Sequence, residues 1–388
     1  MARAYARAEP LVNLLKGEAM KLASYNVENL FLRARAMNGE TRAEGAEALA
    51  NHAEMNAILS KAEYSPEDKK RIIHLMKKLG IDKKDDGGEF VILRQNRGHL
   101  VKRGRGGLEV VADGRGAWIG SLDLKMEAVN EVATRMTAKV IHDVGADVIG
   151  LVEAESRPAL VRFHDDVMSL VHGTSYQHIM LIDGNDERGI DVAIMTRNGF
   201  DIEGIQSHVD DEENGKRIFS RDCAEYHIKT PANDRLIVLV NHFKSKGFGS
   251  QATSDRKREM QAKRVKAIYE NLRQDGAKNV AVIGDFNDTP DGNPLASLIQ
   301  STDLKDITTH QSFNDGGRPG TFGNGTASNK IDYILLSPAL FQKATGGEIF
   351  RMGVWGGKNG TLFPHFPEIT KAVEAASDHA AIVAEINL

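Results

Sequence analysis

The chain lacks several things, and each absence narrows what it can be. It has one cysteine, Cys223, in 388 residues. A single thiol excludes an internal disulfide framework and a CxxC metal or redox motif, suits a reducing compartment, and gives no reason to expect a disulfide-linked partner. No apolar run approaches about eighteen residues, so no membrane span is expected. Residues 1–20 lack a real apolar signal region and a convincing cleavage site. They read as a short amphipathic or disordered extension, and a cytoplasmic location is expected. The formal net charge is only −4, so any anion-binding surface must be local. There is no Gly-rich phosphate loop, no HExxH motif, no internal repeat and no low-complexity tract.

What is present is an ordinary globular composition, with 41% hydrophobic residues, enough for a sizeable core. LASYNVENLFL (22–32) alternates and then turns apolar, as a strand ending near Asn26 would. Residues 33–117 differ from the rest and read as an insertion. They begin rich in Ala, Glu and Lys at helical spacing, with Ser65-Pro66-Glu67-Asp68 as a helix start. They end in the Gly- and Arg-rich stretch 94–116, a basic hairpin or loop. Residues 124–143 predict an amphipathic helix closed by Gly145. Strand patterns then dominate: DVIGLVE, YQHIMLI, IDVAIMT, AEYHIKT, RLIVLVNHF, NVAVIGDF, KIDYILLS and HAAIVAEI. A long polar helix is expected at 254–275. Strands outnumber helices, and hairpin-like neighbours mix with strand–helix–strand units. That predicts a layered α/β (α+β) protein with mixed sheets.

The apolar strands run repeatedly into polar ends: Asn26 and Glu28, Glu153 and Glu155, Asn241 and His242, Asp285 and Asn287. Asp332 lies in KIDYILL, and SDH (377–379) precedes the last strand. Each alone has a plain structural explanation. GDFND is an Asx turn, Asn26 a cap, His242 a satisfied core histidine, Asp332 a partner for Lys330. Their recurrence at strand ends favours a shared rim instead. Asp285 and Asn287 stand two apart, on one face if the chain stays extended. Asp288 then falls to a turn or capping role. Carboxylate and amide oxygens are hard ligands suited to Mg²⁺ or Mn²⁺, with Ca²⁺ also compatible. Histidines beside carboxylates suit proton transfer.

The series YNVENLF, GLVEAE, RGIDVAI, IFSRD, VNHFKSKG, IGDFNDTP, IDYILLS and SDHAAI resembles the endonuclease/exonuclease/phosphatase family over residues 21–32 and 118–388. VNHFKSKG most resembles its bacterial nuclease-like members. The resemblance implies a four-layer sandwich, two mixed β-sheets flanked by helices, forming one catalytic domain over 21–388 with 33–117 inserted. It implies a metal held by Glu153, Asn26 and Asp378, with Glu28 as a second acidic ligand. It places Asp285 and Asn287 at the attacking water and His379, held by Asp332, at the scissile phosphate. His242 resembles the second histidine of the deoxyribonuclease branch, and Asp191 is chosen as its partner. Arg221, Arg188, Asn26 and Lys244 are expected at the substrate phosphate.

The reaction expected is metal-dependent hydrolysis of a phosphoester. Arg94, Arg97, Lys102, Arg103, Arg105 and Arg115 form one basic set. Lys244, Lys246, Arg256, Lys257, Arg258, Lys263 and Arg264 form another. Both predict a nucleic-acid partner, DNA with RNA as an extension, bound through its backbone, since aromatics near them are few. The alternatives are a phosphatase or phosphodiesterase for a small or lipid phosphoester, and a binding protein with a dead site.

Overall fold

The computed structural model describes residues 19–30, 35–37, 42–104, 106–125, 130–186, 189–246 and 250–388. The 1–18 part of the expected extension, and Arg105 and Arg188, lie outside the described residues. Two large sheets pack face to face. One has seven strands, in the order Phe313–Asn314, Ala344–Phe350, Ala381–Ile386, Met20–Leu30, Val148–Ala154, Asp191–Thr196, His178–Ile182. The other has six, in the order Lys305–Asp306, Asp332–Leu336, Asn279–Asp285, Arg235–His242, Cys223–Lys229, Asp201–Gln206. Each is mixed, with a parallel pair of central strands, and the seven-stranded sheet has a second parallel pair at its Phe313–Asn314 edge.

The layering follows from side-chain alternation along strands buried on both faces. In Asn279–Asp285, Ala281 and Ile283 enter the core between the sheets, beside Leu22, Val148, Ile194, Val238 and Ile334. Val280 and Val282 point the other way, against Val265, Ile268 and Tyr269 of the helix Gln251–Gln274. The helices Glu131–Val144 and Arg157–Phe163 cover the outer face of the seven-stranded sheet. The result is the expected helix–sheet–sheet–helix sandwich.

Several local expectations need correction. The first strand runs on to Leu30, with a register break after Asn26. The helix expected over 124–143 begins at Glu131. Asn130 caps it by accepting from the Val132 and Ala133 amides at 2.9 and 3.2 Å. The preceding Ile119–Leu124 is a strand paired with Val91–Arg97, and 126–129 lie outside the described residues. Gly145 ends the helix at φ 65° as expected.

The region 42–124 gathers its own core from Met55, Ile72, Leu75, Met76, Leu93, Trp118 and Leu122. Ser65 and Asp68 form a reciprocal capping box at the start of Pro66–Lys78. The basic stretch is paired strand, the hairpin of the two expected forms, and several of its cations have partners. Arg94 is paired with Asp123 at 2.7 Å, and Arg103 with Asp85 at 2.8 Å. Arg115 donates to the Gly120 carbonyl at 2.9 Å and lies over the Trp118 ring. In the hairpin Val101–Gly104/Gly107–Val110, Lys102 stands opposite Glu109.

Gly284, just before Asp285, has no room for a side chain. Its φ is +132°, and a Cβ there would fall 1.9 Å from the Asn241 carbonyl oxygen on the neighbouring strand. Gly284→Ala is expected to destabilise the fold by at least about 2 kcal/mol. The urea midpoint checks it; an unchanged midpoint would show that the strand accepts a side chain there.

Candidate active site

Strand register builds the site. In the six-stranded sheet His242 is the parallel partner of Asp285, and Asp285 the antiparallel partner of Asp332. Three chemistry-bearing residues therefore stand side by side at one sheet end. In the other sheet Asn26 pairs with Val152, next to Glu153. Asp378 and His379 stand just before the strand Ala381–Ile386.

Hydrogen bonds join the two ends. Asn26 Nδ2 donates to Glu153 Oε1 at 3.2 Å and to Asp285 Oδ2 at 3.4 Å. His379 Nδ1 meets Asp332 Oδ2 at 2.8 Å, and His379 Nε2 lies 3.9 Å from Asp285 Oδ2. His242 Nε2 lies 3.8 Å from Glu153 Oε1 and 3.9 Å from Asp285 Oδ2. Asn26, His242, Asp285, Asp332 and His379 are each no more than 6% exposed. Glu28 Oε2 accepts the Asp378 amide at 2.8 Å, and Asn26 Oδ1 accepts the Glu28 amide at 3.1 Å. Ser377 ties the same turn down, donating to the Asn26 carbonyl at 2.8 Å and accepting the His379 amide at 2.9 Å.

Three of these side chains are carried on strained backbone. Glu28, Glu153 and Asn287 have φ of 25°, 70° and 53°. Left-handed conformations of non-glycine residues cost about 1–3 kcal/mol each, and such strain gathers at functional sites. For Asn287 this corrects the extended-chain expectation, since the strand stops at Asp285. Asp285 Oδ1 accepts the Asn287 amide at 2.8 Å, and Asn287 Nδ2 donates to the Phe243 carbonyl at 3.2 Å. The Asx turn and the candidate catalytic carboxylate are the same residue, Asp285, engaged through different oxygens.

Burial pushes the Asp285 carboxyl up to about 8, and the charge of Asp332 adds to it. Asp378 is also raised, by desolvation and by Glu28 and Glu153 beside it, although 46% of its side-chain surface is open. His379 goes well above its ordinary value: burial opposes its charge, but Asp332, Asp285 and Asp378 outweigh it. Glu28, Glu153 and Asp378 with the Asn26 amide make an oxygen-rich, self-repelling donor set. That chemistry fits a hard divalent cation. Among the described residues, the one group whose donor atoms all lie within 4.8 Å of one another is a different one, Asp285, Asp332 and His379. They are a poorer cage, because His379 Nδ1 and Asp332 Oδ2 are already bonded to each other.

The remaining expected residues have other partners. Asp191 forms no bond with His242; it accepts the Gly184 amide at 2.8 Å, and burial pushes it up to about 7. Arg221 is 1% exposed and ion-paired with Asp186 at 3.0 Å, and its Nη1 lies 3.5 Å from the Phe243 carbonyl that Asn287 also meets. The Lys244 backbone is held by Gln261 and Arg258, each at 2.9 Å. Lys330 pairs with Asp306 at 2.7 Å and leaves Asp332 to His379. Arg258, counted from sequence among the polyanion contacts, is fully buried and bridges to Asp288 at 3.2 Å. Lys246 joins Asp288 at 2.6 Å, and Arg264 pairs with Asp211 at 2.7 Å. Asp288 is thus an ion-pair anchor below the turn. Thr321, which donates to Asp332 Oδ2 at 2.6 Å, carried no sequence signal in its Gly- and Asn-rich loop.

No curated protein sequence matches the chain. Solved structures resemble the chain at low identity. An endonuclease/exonuclease/phosphatase family protein from Bacteroides thetaiotaomicron is 17% identical over 66% of this chain and 85% of its own, with a TM-score of 0.48. The mannosyl-6-phosphatase Bt3783 of the same organism is 16% identical over 66% and 91%, with a TM-score of 0.48. Truncated Caenorhabditis elegans TDP2 is 19% identical over 66% and 91%, with a TM-score of 0.45. The sequence model of the Endonuclease/Exonuclease/phosphatase family matches residues 109–348, well over half of the chain and including His242, Asp285 and Asp332. The chain belongs to that family and is a metal-dependent phosphoesterase.

Proposed function

We propose that the protein is a divalent-metal-dependent phosphodiesterase, with DNA as its substrate class. The observation that carries the reading is the convergence of two buried histidines on one carboxylate oxygen, Asp285 Oδ2, each Nε2 at 3.9 Å. Hydrolysis of a diester needs a water to lose a proton and an alkoxide to gain one. Asp285, raised toward neutrality by burial, suits the first task, with Asn287 fixing the turn that presents it. His379, its Nδ1 tied to Asp332, directs Nε2 into the site for the second task or for the phosphoryl oxygens. His242 flanks the same oxygen. Glu153, Asn26, Asp378 and Glu28 would hold the metal, Mg²⁺ or Mn²⁺, which when bound supplies charge neutralisation to the phosphoryl group.

A second reading has its own support. Arg94, Arg103, Lys246, Arg258 and Arg264 are engaged in internal ion pairs. That leaves fewer cations to follow a polyanion and favours a small or lipid phosphoester. A panel of duplex and single-stranded DNA, RNA, inositol phosphates and sphingomyelin with Mg²⁺, Mn²⁺ and Ca²⁺ separates the two. DNA turnover that falls steeply and log-linearly with salt supports the first. Turnover confined to the small or lipid esters replaces it with the second.

Asp285→Ala and His379→Ala are each expected to lower kcat by at least about 100-fold with the circular dichroism spectrum unchanged. Near-normal turnover by either folded variant would remove that residue from the mechanism.

Stability should also depend on pH and metal. Asp285 at about 8 and Asp191 at about 7 lie above ordinary carboxyl values, so the metal-free folded state binds more protons than the unfolded one from about pH 4 to 8. Its stability therefore falls as pH rises through that window. The raised His379 acts in the same sense, its contribution being lost as pH passes its folded value. A bound cation favours the ionised acids, so Mg²⁺ or Mn²⁺ should raise Tm most near pH 8 and least below about pH 5. A Tm that neither ion moves at pH 8 would argue against the metal site.

A further inference from the structure

We infer that Thr321 is a positioning residue for the reaction: its hydroxyl locks the carboxylate of Asp332 that holds His379. The inference rests on the reading of His379 as a catalytic group.

Thr321 is 2% exposed and lies in the loop before the strand Asp332–Leu336. Its Oγ1 donates to Asp332 Oδ2 at 2.6 Å and accepts the Asp332 amide at 3.1 Å. A hydroxyl has one proton to give. The other acceptor in reach, the Asn329 carbonyl, is 3.5 Å away, so the carboxylate takes it. The same Oδ2 also meets His379 Nδ1 at 2.8 Å, while the buried Asp332 Oδ1 has no hydrogen-bond partner among the described residues. Both bonds of the carboxylate therefore fall on one oxygen. A carboxylate held by the imidazole alone can rotate and exchange its oxygens, and the ring would follow. A second donor fixed by backbone removes that freedom.

Thr321 is so fixed. Its amide donates to the Asn329 carbonyl at 3.0 Å, and its carbonyl accepts the Ala380 amide at 2.7 Å. The next residue, Phe322, forms a β-bridge with His379 and sets its ring 4.9 Å from the imidazole. One short segment thus grips both members of the Asp–His pair. Outer partners that orient histidine ligands at metal sites are worth about 10–100-fold in affinity or activity, and the same scale is expected for a histidine oriented through its carboxylate.

The test compares Thr321→Val, which keeps the volume and removes the hydroxyl, with Thr321→Ser, which keeps the hydroxyl. With Mn²⁺ and bis(p-nitrophenyl) phosphate as the probe substrate, the Val variant should lose about 10–100-fold in kcat with KM nearly unchanged, and the Ser variant should recover most of it. A second readout needs no turnover. The His379 Nδ1–H proton resonance should be protected from solvent exchange in the wild type and the Ser variant, and broadened or lost in the Val variant. Failure of the wild type to hydrolyse any phosphoester would count against the proposed function, while the resonance would still decide the role of Thr321. A folded Val variant with wild-type kcat and a protected resonance overturns the inference. So does a Ser variant as impaired as the Val variant, because the methyl group would then be what matters. If the Val variant does not fold, Thr321→Ala takes its place in both measurements. A lowered kcat with a lost resonance then supports the inference, and a wild-type kcat with a protected resonance overturns it.

Discussion

The register of the strand Asn279–Asp285 against its two neighbours is the constraint from which the site follows. Side chains alternate with a period of two, so a slip of one residue would turn Ile283 and Asp285 together away from the facing sheet and toward the helix side. Both faces of this strand are packed, with Ile283 between the sheets and Val282 beneath the helix Gln251–Gln274. The slip is therefore opposed twice, by lost apolar burial and by a buried charge without a partner. Apolar packing of the strand interior fixes the position of the charged group at its end. The parallel neighbour then sets His242 beside Asp285, and the antiparallel neighbour sets Asp332 on its other side. The second sheet contributes Asn26 and Glu153 through an equivalent parallel pair.

Such a rim is unfavourable to assemble. Five acids, Glu28, Glu153, Asp285, Asp332 and Asp378, gather there, and Glu28, Glu153 and Asn287 sit on left-handed backbone. What offsets this is a set of directed bonds between segments far apart in sequence. Ser377 on the Asn26 carbonyl, the Asp378 amide on Glu28, and Asn26 spanning Glu153 and Asp285 hold the first strand against the last one. His379 supplies a positive charge among Asp285, Asp332 and Asp378. The remaining excess of negative charge gathers where Glu28, Glu153 and Asp378 meet, on the side of the rim that fits a cation. In the proposed mechanism the two tasks are separated in space: the His379 imidazole is held by Asp332, and the candidate cation donors lie across Asn26.

The layered fold was legible in the sequence because the core strands are apolar runs of strand length, and the polar ends were legible because they are local. GDFND and SDH can be read within a few residues. Partnerships were less legible. Asp191 follows a strand pattern beside a glycine and an isoleucine, and nothing local distinguishes a residue that reaches His242 from one that caps the Gly184 turn. The basic sets misled for the same reason. Arg258 and Asp288 are thirty residues apart, as are Arg94 and Asp123 within one residue, so a charge run says nothing about which cations are already engaged. The helix over 124–143 was drawn too long because Asn130, the true cap, lies inside a stretch that keeps helical composition on both sides. Thr321 could not have been found, since its function depends on a carboxylate eleven residues on and an imidazole beyond it.

The two readings of GDFND, an ordinary turn or a catalytic edge, turn out not to compete. A carboxylate has two oxygens with separate directions. Asp285 Oδ1 closes the turn on the Asn287 amide, and Oδ2 faces Asn26, His242 and His379. The turn bond does more than end a strand. It fixes the rotation of the carboxylate, so that the oxygen available for chemistry points in one direction without a further side chain to orient it. Asp332 reaches the same end by a different route, with two donors on a single oxygen and none on the other. A backbone amide in one case and a threonine hydroxyl in the other solve one problem, which is to stop a carboxylate from rotating at a site where its two oxygens must not be interchangeable.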